Sequence, residues 1–417
     1  MAAAMVVLVG CVLVVVLALR WVPAQSVPVV SPEDLDLDFT RAEQERERAF
    51  RRRVRPWGLA SVALDVLVPT VLAVTGVVAS VVGRAGPWWV QVVVATTLVL
   101  LVSRLATLPG AVVVRRVSLE VGLATGTWAR WVRDVVVALG LSWVVVAGAM
   151  LGWVVAARRW PATWWVVVAV AAALAIVLLS FLLPVVVEPL FTRFAPMPDG
   201  PLRRRLLDLA RRGGVRIGDV LVADASRRTS ALNAYVSGLG STRRVVVHDT
   251  LLERDRDDEV YAVVAHELGH VVARDVRTGT VLGAAGAALG VAAADVLLGW
   301  PALRSVAHVT SPSDPAVVGL LLAGGAWAGL LGAPLRSAVS RRIERRADRH
   351  SLDLTADPGT VARMHRSLAV TNLAALRPPR LLHLWFGTHP TSPERIAAAR
   401  GWAREHGDDV PGPLLAG

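Results

Sequence analysis

Lysine is absent from this 417-residue sequence: all 45 basic residues are arginine, and with 33 acidic residues they give a formal net charge of +12. Cysteine is nearly absent, because Cys11 is the only one. A single cysteine excludes an intramolecular disulfide and a cysteine zinc cluster. The arginines lie outside any recognised nucleic-acid-binding motif. The positive charge therefore predicts contact with anionic lipid headgroups and no nucleic-acid partner.

Long hydrophobic runs dominate what is present. Hydrophobic residues make up 54% of the sequence, above the roughly 45–50% of a typical soluble domain. Spanning a bilayer takes roughly 17 to 25 apolar residues in a helix. Seven stretches approach or reach that length: 4–19, 59–82, 88–108, 135–156, 163–187, 279–300 and 316–335. The first is also compatible with a signal peptide ending near Ala24, but no basic residue precedes its apolar core.

The arginine distribution predicts the orientation of these spans. With seven spans and an external N-terminus, residues 21–56 and 109–134 lie in the cytoplasm and carry eleven arginines, against four in the opposite loops. This bias follows the positive-inside rule. The protein is thus expected to be integral to the cell (cytoplasmic) membrane. Residues 188–278 and 336–417 then share the cytoplasmic side, because two spans separate them.

The same pattern predicts three parts of the chain. Residues 1–187 form an N-terminal membrane region with five spans. Residues 188–278 and 336–417 together form a soluble catalytic domain. Residues 279–335 insert two further spans into that domain.

His266-Glu267-Leu268-Gly269-His270 is the motif that carries chemistry. Two histidines four residues apart on a helix lie about 40° apart around its axis, so both side chains can reach one metal ion. Glu267 can then accept a proton from water held by that ion. The motif predicts a zinc endopeptidase with one zinc ion per chain, Glu267 as the base, and peptide or protein substrates.

A catalytic zinc ion needs a third protein ligand and an open position for water. Glu344 and Asp348 share a helix face at i, i+4 spacing,. We predict Glu344 as the third ligand and Asp348 as the carboxylate that orients a ligating histidine. His350 is the next candidate ligand. On local sequence alone, a solvated helix surface rich in arginine and acidic residues explains this segment equally well.

Two functions other than proteolysis fit parts of the sequence. One is a catalytically silent membrane scaffold that holds zinc structurally, but such a site does not need the Glu267 carboxylate. The other is a transporter, for which Asp65, Arg104 and Asp295 lie in or at the edge of predicted spans,. Charges are otherwise scarce in the spans, which argues against a polar transport path.

Short strands are predicted in the soluble part at residues 219–224 and 244–248, with a strand-like piece at 233–240,. An exposed strand edge near zinc would pair with an extended peptide, although an ordinary hairpin explains the same pattern. In spans six and seven, two Gly-x-x-x-Gly pairs permit close helix approach: Gly286 with Gly290, and Gly325 with Gly329,.

Further motifs resemble the landmarks of one family, in that family's order: Pro189 to Phe191, Phe194 to Pro196, Asn233 to Gly240, Asp249 to Leu252, His266 to His270, Ser340 to Glu344, Thr388 to Pro390 and Glu394 to Ile396. They resemble the integral-membrane zinc metallopeptidases of the type I CAAX prenyl protease group and the smaller HtpX-like peptidases. The resemblance covers about residues 105–395. Seven predicted spans favour the prenyl protease group, since HtpX-like proteins have fewer.

The resemblance implies a mainly α-helical, polytopic membrane protein with about seven transmembrane helices and a zincin-like α+β metallopeptidase domain. It assigns a role to each site residue: His266, His270 and Glu344 bind zinc, Glu267 is the base, His389 and Arg395 stabilise the tetrahedral intermediate, and Asn233 lies on the substrate-binding edge. From the local sequence alone, without this resemblance, His389 would be interpreted as an ordinary loop histidine and Arg395 as a surface arginine.

Overall fold

The computed structural model describes residues 2–415 apart from Val29, Leu239 and Asp255. Helices form most of the first half of the chain: α1 (Ala2–Trp21), α2 (Pro32–Asp38), α3 (Arg41–Val74), α4 (Val77–Val82), α5 (Trp88–Glu120), α6 (Trp128–Arg159), α7 (Trp164–Leu182) and α8 (Glu188–Phe191). A π-helical turn, Leu183–Val187, joins α7 to α8. Capping boxes at Ser31 and Thr40 begin α2 and α3,.

Strands and helices alternate in the middle of the chain: β1 (Phe194–Pro196), α9 (Pro201–Arg212), β2 (Asp219–Ala223), β3 (Ala234–Ser237), β4 (Arg244–His248), α10 (Asp249–Leu252), α11 (Asp257–Val272), α12 (Asp275–Leu298) and α13 (Pro301–Val306). The last part is helical: α14 (Val317–Thr355), α15 (Pro358–Thr371), α16 (Arg380–Phe386) and α17 (Ser392–His406).

Six helices among the described residues are long and apolar enough to cross a membrane: Arg41–Val74, Trp88–Glu120, Trp128–Arg159, Trp164–Phe191, Asp275–Leu298 and Val317–Thr355. The predicted stretch 4–19 lies in α1, whose apolar part Val7–Trp21 is shorter than these six. Leu174 and Leu178 of α7 are 64% and 56% exposed, as expected for side chains that face lipid,. The fold is therefore a polytopic membrane protein, for which seven spans is an approximate count.

Helix α14 connects the membrane bundle to the polar domain. Its 39 residues extend about 58 Å at 1.5 Å per residue, well beyond a hydrocarbon core about 30 Å thick. Val317 and Val318 near its start are fully buried in an apolar cluster with Val92 of α5 and Val154 of α6. Its second half carries Glu344 into the domain that follows the spans.

The domain contains a small mixed sheet with strand order β1-β2-β4-β3. Strands β2 and β4 are parallel in the centre, and the outer strands β1 and β3 pair with them antiparallel. The strands predicted at 219–224 and 244–248 are thus β2 and β4. The strand-like piece 233–240 contains β3 at a sheet edge, and its Leu239 lies outside the described residues.

The loop between α5 and α6 ties the membrane region to this domain. Ala124 forms a β-bridge with Thr229, and the Thr125 backbone N–H donates to the Arg228 carbonyl at 3.1 Å. The Arg228 guanidinium in turn pairs with Asp134 of α6, with 3.0 Å between Nε and Oδ2. These contacts fix the loop between β2 and β3 relative to the membrane helices.

Candidate metal centre and active site

Helix α11 presents the two motif histidines on one side. Val260, Val264 and Leu268 recur every four residues and are buried in the domain core, which orients the helix. One turn apart, the imidazoles of His266 and His270 then converge. Their Nε2 atoms lie 3.2 Å apart.

A glycine lets α14 approach α11 closely. A Cβ atom at Gly269 would lie only 3.1 Å from the Ala347 Cα, so a larger residue would push the helices apart. The approach brings the Glu344 carboxylate to both histidines. Its Oε2 lies 3.5 Å from His266 Nε2, and its Oε1 lies 3.6 Å from His270 Nε2.

These spacings fit a tetrahedral metal ion. Ligands bound at about 2.0–2.1 Å to a tetrahedral ion lie about 3.3 Å apart, close to the 3.2–3.6 Å separations of the three side chains. Glu267 is a further candidate donor, because His266, Glu267 and His270 offer ligand atoms within 4.8 Å of one another. Two imidazole nitrogens and a carboxylate are a donor set that zinc accepts.

The Nδ1 atom of each motif histidine faces a carboxylate. Asp348 Oδ1 lies 2.9 Å from His266 Nδ1, and Asp275 Oδ2 lies 2.9 Å from His270 Nδ1. A hydrogen bond at Nδ1 fixes the tautomer and turns the Nε2 lone pair toward the shared centre. Asp348 contacts His266 from α14, and Asp275 contacts His270 from the start of α12.

Arg395 and His365 surround the Asp348 carboxylate. A capping box at Thr391 begins α17, which places Arg395 so that its Nε donates to Asp348 Oδ2 at 2.8 Å. Arg395 Nη2 also lies 3.4 Å from Glu344 Oε2. His365 of α15 is buried, with Nε2 3.5 Å from Asp348 Oδ1. Burial and the nearby Arg395 charge lower the pKa of His365 to about 4, so this histidine is neutral at pH 7.

The electrostatics of the centre favour a cation. Burial lowers the pKa of His266, but hydrogen bonds to Asp348 and Glu344 outweigh that effect and raise it to about 9. Burial also raises the pKa of the Glu267 carboxyl. The carboxylates that stabilise an imidazolium would equally stabilise a metal cation, which would displace the proton.

Of the remaining predicted residues, His389 and Asn233 line an open cavity beside the centre, whereas His350 does not. His389 is exposed, with Nε2 3.5 Å from Glu344 Oε1. Asn233 is exposed just before β3 and lines one cavity of about 840 Å³ with His389 and Arg395. His350 lies beside Gly269, where an added Cβ would be 3.1 Å from the His350 Cβ.

Sequence reasoning did not identify Asp275 or His365. Asp275 is five residues beyond His270 and begins a membrane helix, so its position looks like a domain boundary. His365 is a lone histidine in an ordinary helix. Only the tertiary packing brings these two side chains to the carboxylate and histidine cluster.

Comparison with known families assigns both halves of the chain. A model of peptidase family M48 matches residues 196–403. A second model, described as the CAAX prenyl protease N-terminal region with five membrane helices, matches residues 25–193.

Similar curated proteins carry related names. The chain is 31% identical over 301 residues to the uncharacterized metalloprotease YhfN of Bacillus subtilis, covering 72% of this chain and 71% of that protein. It is 26% identical over 284 residues to CAAX prenyl protease 1 of Saccharomyces cerevisiae, covering 64% and 62%. It is 28% identical over 237 residues to a protease HtpX homolog of Methanopyrus kandleri, covering 52% and 71%.

A solved structure has the same fold. The crystal structure of S. mikatae Ste24p superposes with a TM-score of 0.76 at 20% identity, covering 95% of this chain and 98% of that one. At this identity the likeness supports the architecture alone.

Proposed function

Because this protein belongs to peptidase family M48, and is thus a membrane metallopeptidase similar to CAAX prenyl protease and HtpX proteins, we propose that it is a zinc-dependent endopeptidase of the cytoplasmic membrane. The observation that carries the proposal is the convergence of His266 Nε2, His270 Nε2 and the Glu344 carboxylate at 3.2–3.6 Å. A structural scaffold would not need the additional Glu267 carboxylate at this point.

His266, His270 and Glu344 are the side chains that would hold the zinc ion. Glu344 is preferred to Glu267 because its two oxygens face both Nε2 atoms and Arg395 supports one of them. Bound zinc would supply Lewis acidity, which lowers the pKa of a water ligand to about 7 and polarises a carbonyl group.

Glu267 is the proposed base. Among the residues that the structure describes, it makes no hydrogen bond or ion pair, so its carboxylate is available to take a proton. Burial raises the pKa of this carboxyl, which suits a group that must accept a proton and release it again near neutral pH. Glu267 would pass that proton to the leaving amine of the cleaved peptide.

His389 and Arg395 are proposed to stabilise the charge that develops on the scissile carbonyl oxygen. The exposed His389 side chain stands beside Glu344 on the open side, where a substrate arrives. Preorganised donors at such a position contribute several kcal/mol of transition-state stabilisation. Arg395 is held by Asp348, so we expect it to act mainly by positioning the carboxylates around it.

The substrate is proposed to be an extended or membrane-associated polypeptide. Asn233 precedes the edge strand β3 and lines the same cavity as His389. An outer strand can pair with a substrate backbone, which gives affinity with little dependence on side chains. The cavity volume of about 840 Å³ falls in the range of ligand sites.

The test is a pair of variants purified in detergent. Glu267→Gln should retain zinc, measured by elemental analysis, and lose casein cleavage. Glu344→Ala should lose zinc as well as activity. A wild-type protein that holds zinc but cleaves neither casein nor peptides would support the scaffold, and a Glu267→Gln variant as active as wild type would remove Glu267 from its role. Trapping with Glu267→Gln in native membranes would then identify substrates.

A further inference from the structure

The C-terminal end of helix α1 is held by two arginines of α14. Arg346 Nη1 donates to the Trp21 carbonyl at 3.2 Å, and Arg342 Nη1 donates to the Val22 carbonyl at 3.3 Å. Carbonyls at the end of an α-helix have no partner within the helix, and cations there interact favourably with the helix dipole. The two arginines therefore cap α1, and Val22 is buried at this junction.

One of these arginines also reaches the metal centre. Arg346 Nη2 pairs with Asp275 Oδ1, and Asp275 Oδ2 lies 2.9 Å from His270 Nδ1. A single guanidinium thus joins the end of α1 to the carboxylate that orients a proposed zinc ligand. Among the described residues, Arg342 forms no ion pair, and its guanidinium donates only to the Val22 carbonyl.

The Asp275 carboxylate depends on its partners for its position. It follows Arg274, whose φ of 57° lies in the left-handed region that residues other than glycine rarely adopt,. Backbone strain of this kind persists only where the surrounding contacts maintain it. The Asp275 side chain is only 9% exposed, so water has little access to replace Arg346 as its partner.

We propose that Arg346 is a positioning residue of the metal centre, which fixes Asp275, and through it His270, against the end of α1. The inference rests on the zinc site of the proposed function, and it makes α1 a structural part of that site. The Trp21 carbonyl holds the guanidinium, and the guanidinium holds the carboxylate. The carboxylate in turn directs the His270 Nε2 lone pair toward the metal ion.

Charge and orientation make opposite predictions for Arg346. A cation near a metal site repels the metal ion, so removing an arginine that acted only through its charge would raise the zinc affinity. Removing an arginine that orients Asp275 has the reverse effect, because the His270 ligand becomes less well aligned. A loss of zinc affinity in a neutral variant therefore reports orientation.

The first experiment measures zinc affinity by chelator competition on full-length protein in detergent. Arg346→Gln should weaken zinc binding about tenfold, the lower end of the range for groups that orient a ligand. Arg346→Lys keeps a cation at Asp275 but replaces the two-armed guanidinium by one ammonium group, so its affinity should lie between those of the wild type and Arg346→Gln.

Arg342→Gln is the matched control. It removes the same charge and a hydrogen bond to α1 from the same helix, but no contact with Asp275, so it should not weaken zinc binding. An Arg346→Gln variant that binds zinc as tightly as the wild type, or more tightly, would overturn the proposal.

A double-mutant cycle tests whether Arg346 acts through Asp275. In the Asp275→Ala background the carboxylate that Arg346 holds is gone, so adding Arg346→Gln should cause no further loss of zinc affinity. Losses that add would show that Arg346 stabilises the protein in some other way, and the proposal would be wrong.

The coupling should also act in the opposite direction, because linkage between two sites is reciprocal. Zinc loading of the wild type should slow hydrogen exchange of the backbone amides in the last turn of α1, residues 18–22, by up to the same factor of about ten. In Arg346→Gln, zinc should leave these exchange rates unchanged. Rates that do not respond to zinc in the wild type would contradict the coupling.

Zinc affinity separates this inference from the peptidase function. If the protein binds zinc but cleaves no peptide, and Arg346→Gln still weakens zinc binding, the peptidase proposal fails and the role of Arg346 stands. If the protein cleaves peptides but Arg346→Gln retains full zinc affinity, the peptidase proposal stands and the role of Arg346 is wrong.

Discussion

At the residue scale, the centre is built from pairs of an imidazole and a carboxylate. Asp348 Oδ1 lies 2.9 Å from His266 Nδ1, and Asp275 Oδ2 lies 2.9 Å from His270 Nδ1. Arg346 contacts Asp275 and donates to the Trp21 carbonyl at 3.2 Å. The Asp275 carboxylate is therefore held between the proposed ligand and a cation, as Asp348 is held by Arg395.

We expect Asp275→Ala and Asp348→Ala each to weaken zinc binding about 10- to 100-fold, because each removes the carboxylate that orients a proposed histidine ligand. Glu344→Ala should lower the zinc affinity further than either of these variants, since it removes a proposed ligand. Chelator competition measures all three affinities. Asp208→Asn, at an exposed ion pair on α9, is the control. Wild-type zinc affinity in Asp275→Ala would show that this carboxylate does not act on His270.

Zinc affinity should also depend on pH. Without metal, His266 has a pKa raised to about 9, so it carries a proton below that pH and zinc must displace it. The apparent affinity should therefore rise about tenfold per pH unit from pH 7 to pH 9 and flatten above. Competition against a chelator of known protonation behaviour measures the slope. An affinity independent of pH in this range would contradict a protonated His266.

How far the sequence predicts these residues depends on where they lie. His266, Glu267 and His270 share one helix, so their spacing alone predicts their chemistry. Glu344 and Asp348 have a helical spacing that also fits a solvated surface, and the family resemblance decides between the two. Asp275 has no local signal, because its pairing with His270 depends on the turn between α11 and α12.

At the element scale, the site depends on how closely α11 and α14 pack. The sequence suggests close approach at the Gly-x-x-x-Gly pairs, but a Cβ at Gly286, Gly290, Gly325 or Gly329 would meet no atom within 4 Å. The close contact lies instead at Gly269, inside the metal motif. Spacing cannot locate such contacts, because Gly-rich apolar helices contain the pattern by chance.

Gly269→Ala should weaken zinc binding and lower thermal stability. Its methyl group would lie 3.1 Å from Ala347 Cα, and overpacking of this kind costs about 1–3 kcal/mol. Moving α14 outward also separates Glu344 from the histidines. Gly286→Ala is the matched control, since that methyl meets nothing within 4 Å. The two variants are compared by zinc affinity and melting temperature, and equal behaviour would exclude the packing role.

At the scale of the whole molecule, α1 is tied to the catalytic part of the chain. Arg342 and Arg346 of α14 donate to the Val22 and Trp21 carbonyls at 3.3 and 3.2 Å. Helix α1 also packs against α12, where Gly10 faces Leu289. Where the first apolar stretch is retained, these contacts hold it against the catalytic part of the chain.

The orientation of the molecule is the last prediction: residues 188–278 and the C-terminus should both face the cytoplasm. Residues 21–56, before the second predicted span, and residues 109–134, after the third, together carry eleven arginines on that side. The opposite loops carry four, so the bias follows the positive-inside rule,. Reporter fusions after Gly200 and at the C-terminus should be active only as cytoplasmic reporters, and a fusion after Pro161, between α6 and α7, only as an external one. Cleavage near Ala24 would leave six spans without moving the catalytic side. An external C-terminus would contradict the predicted topology, because the arginine-rich segments 21–56 and 109–134 would then lie outside the cell.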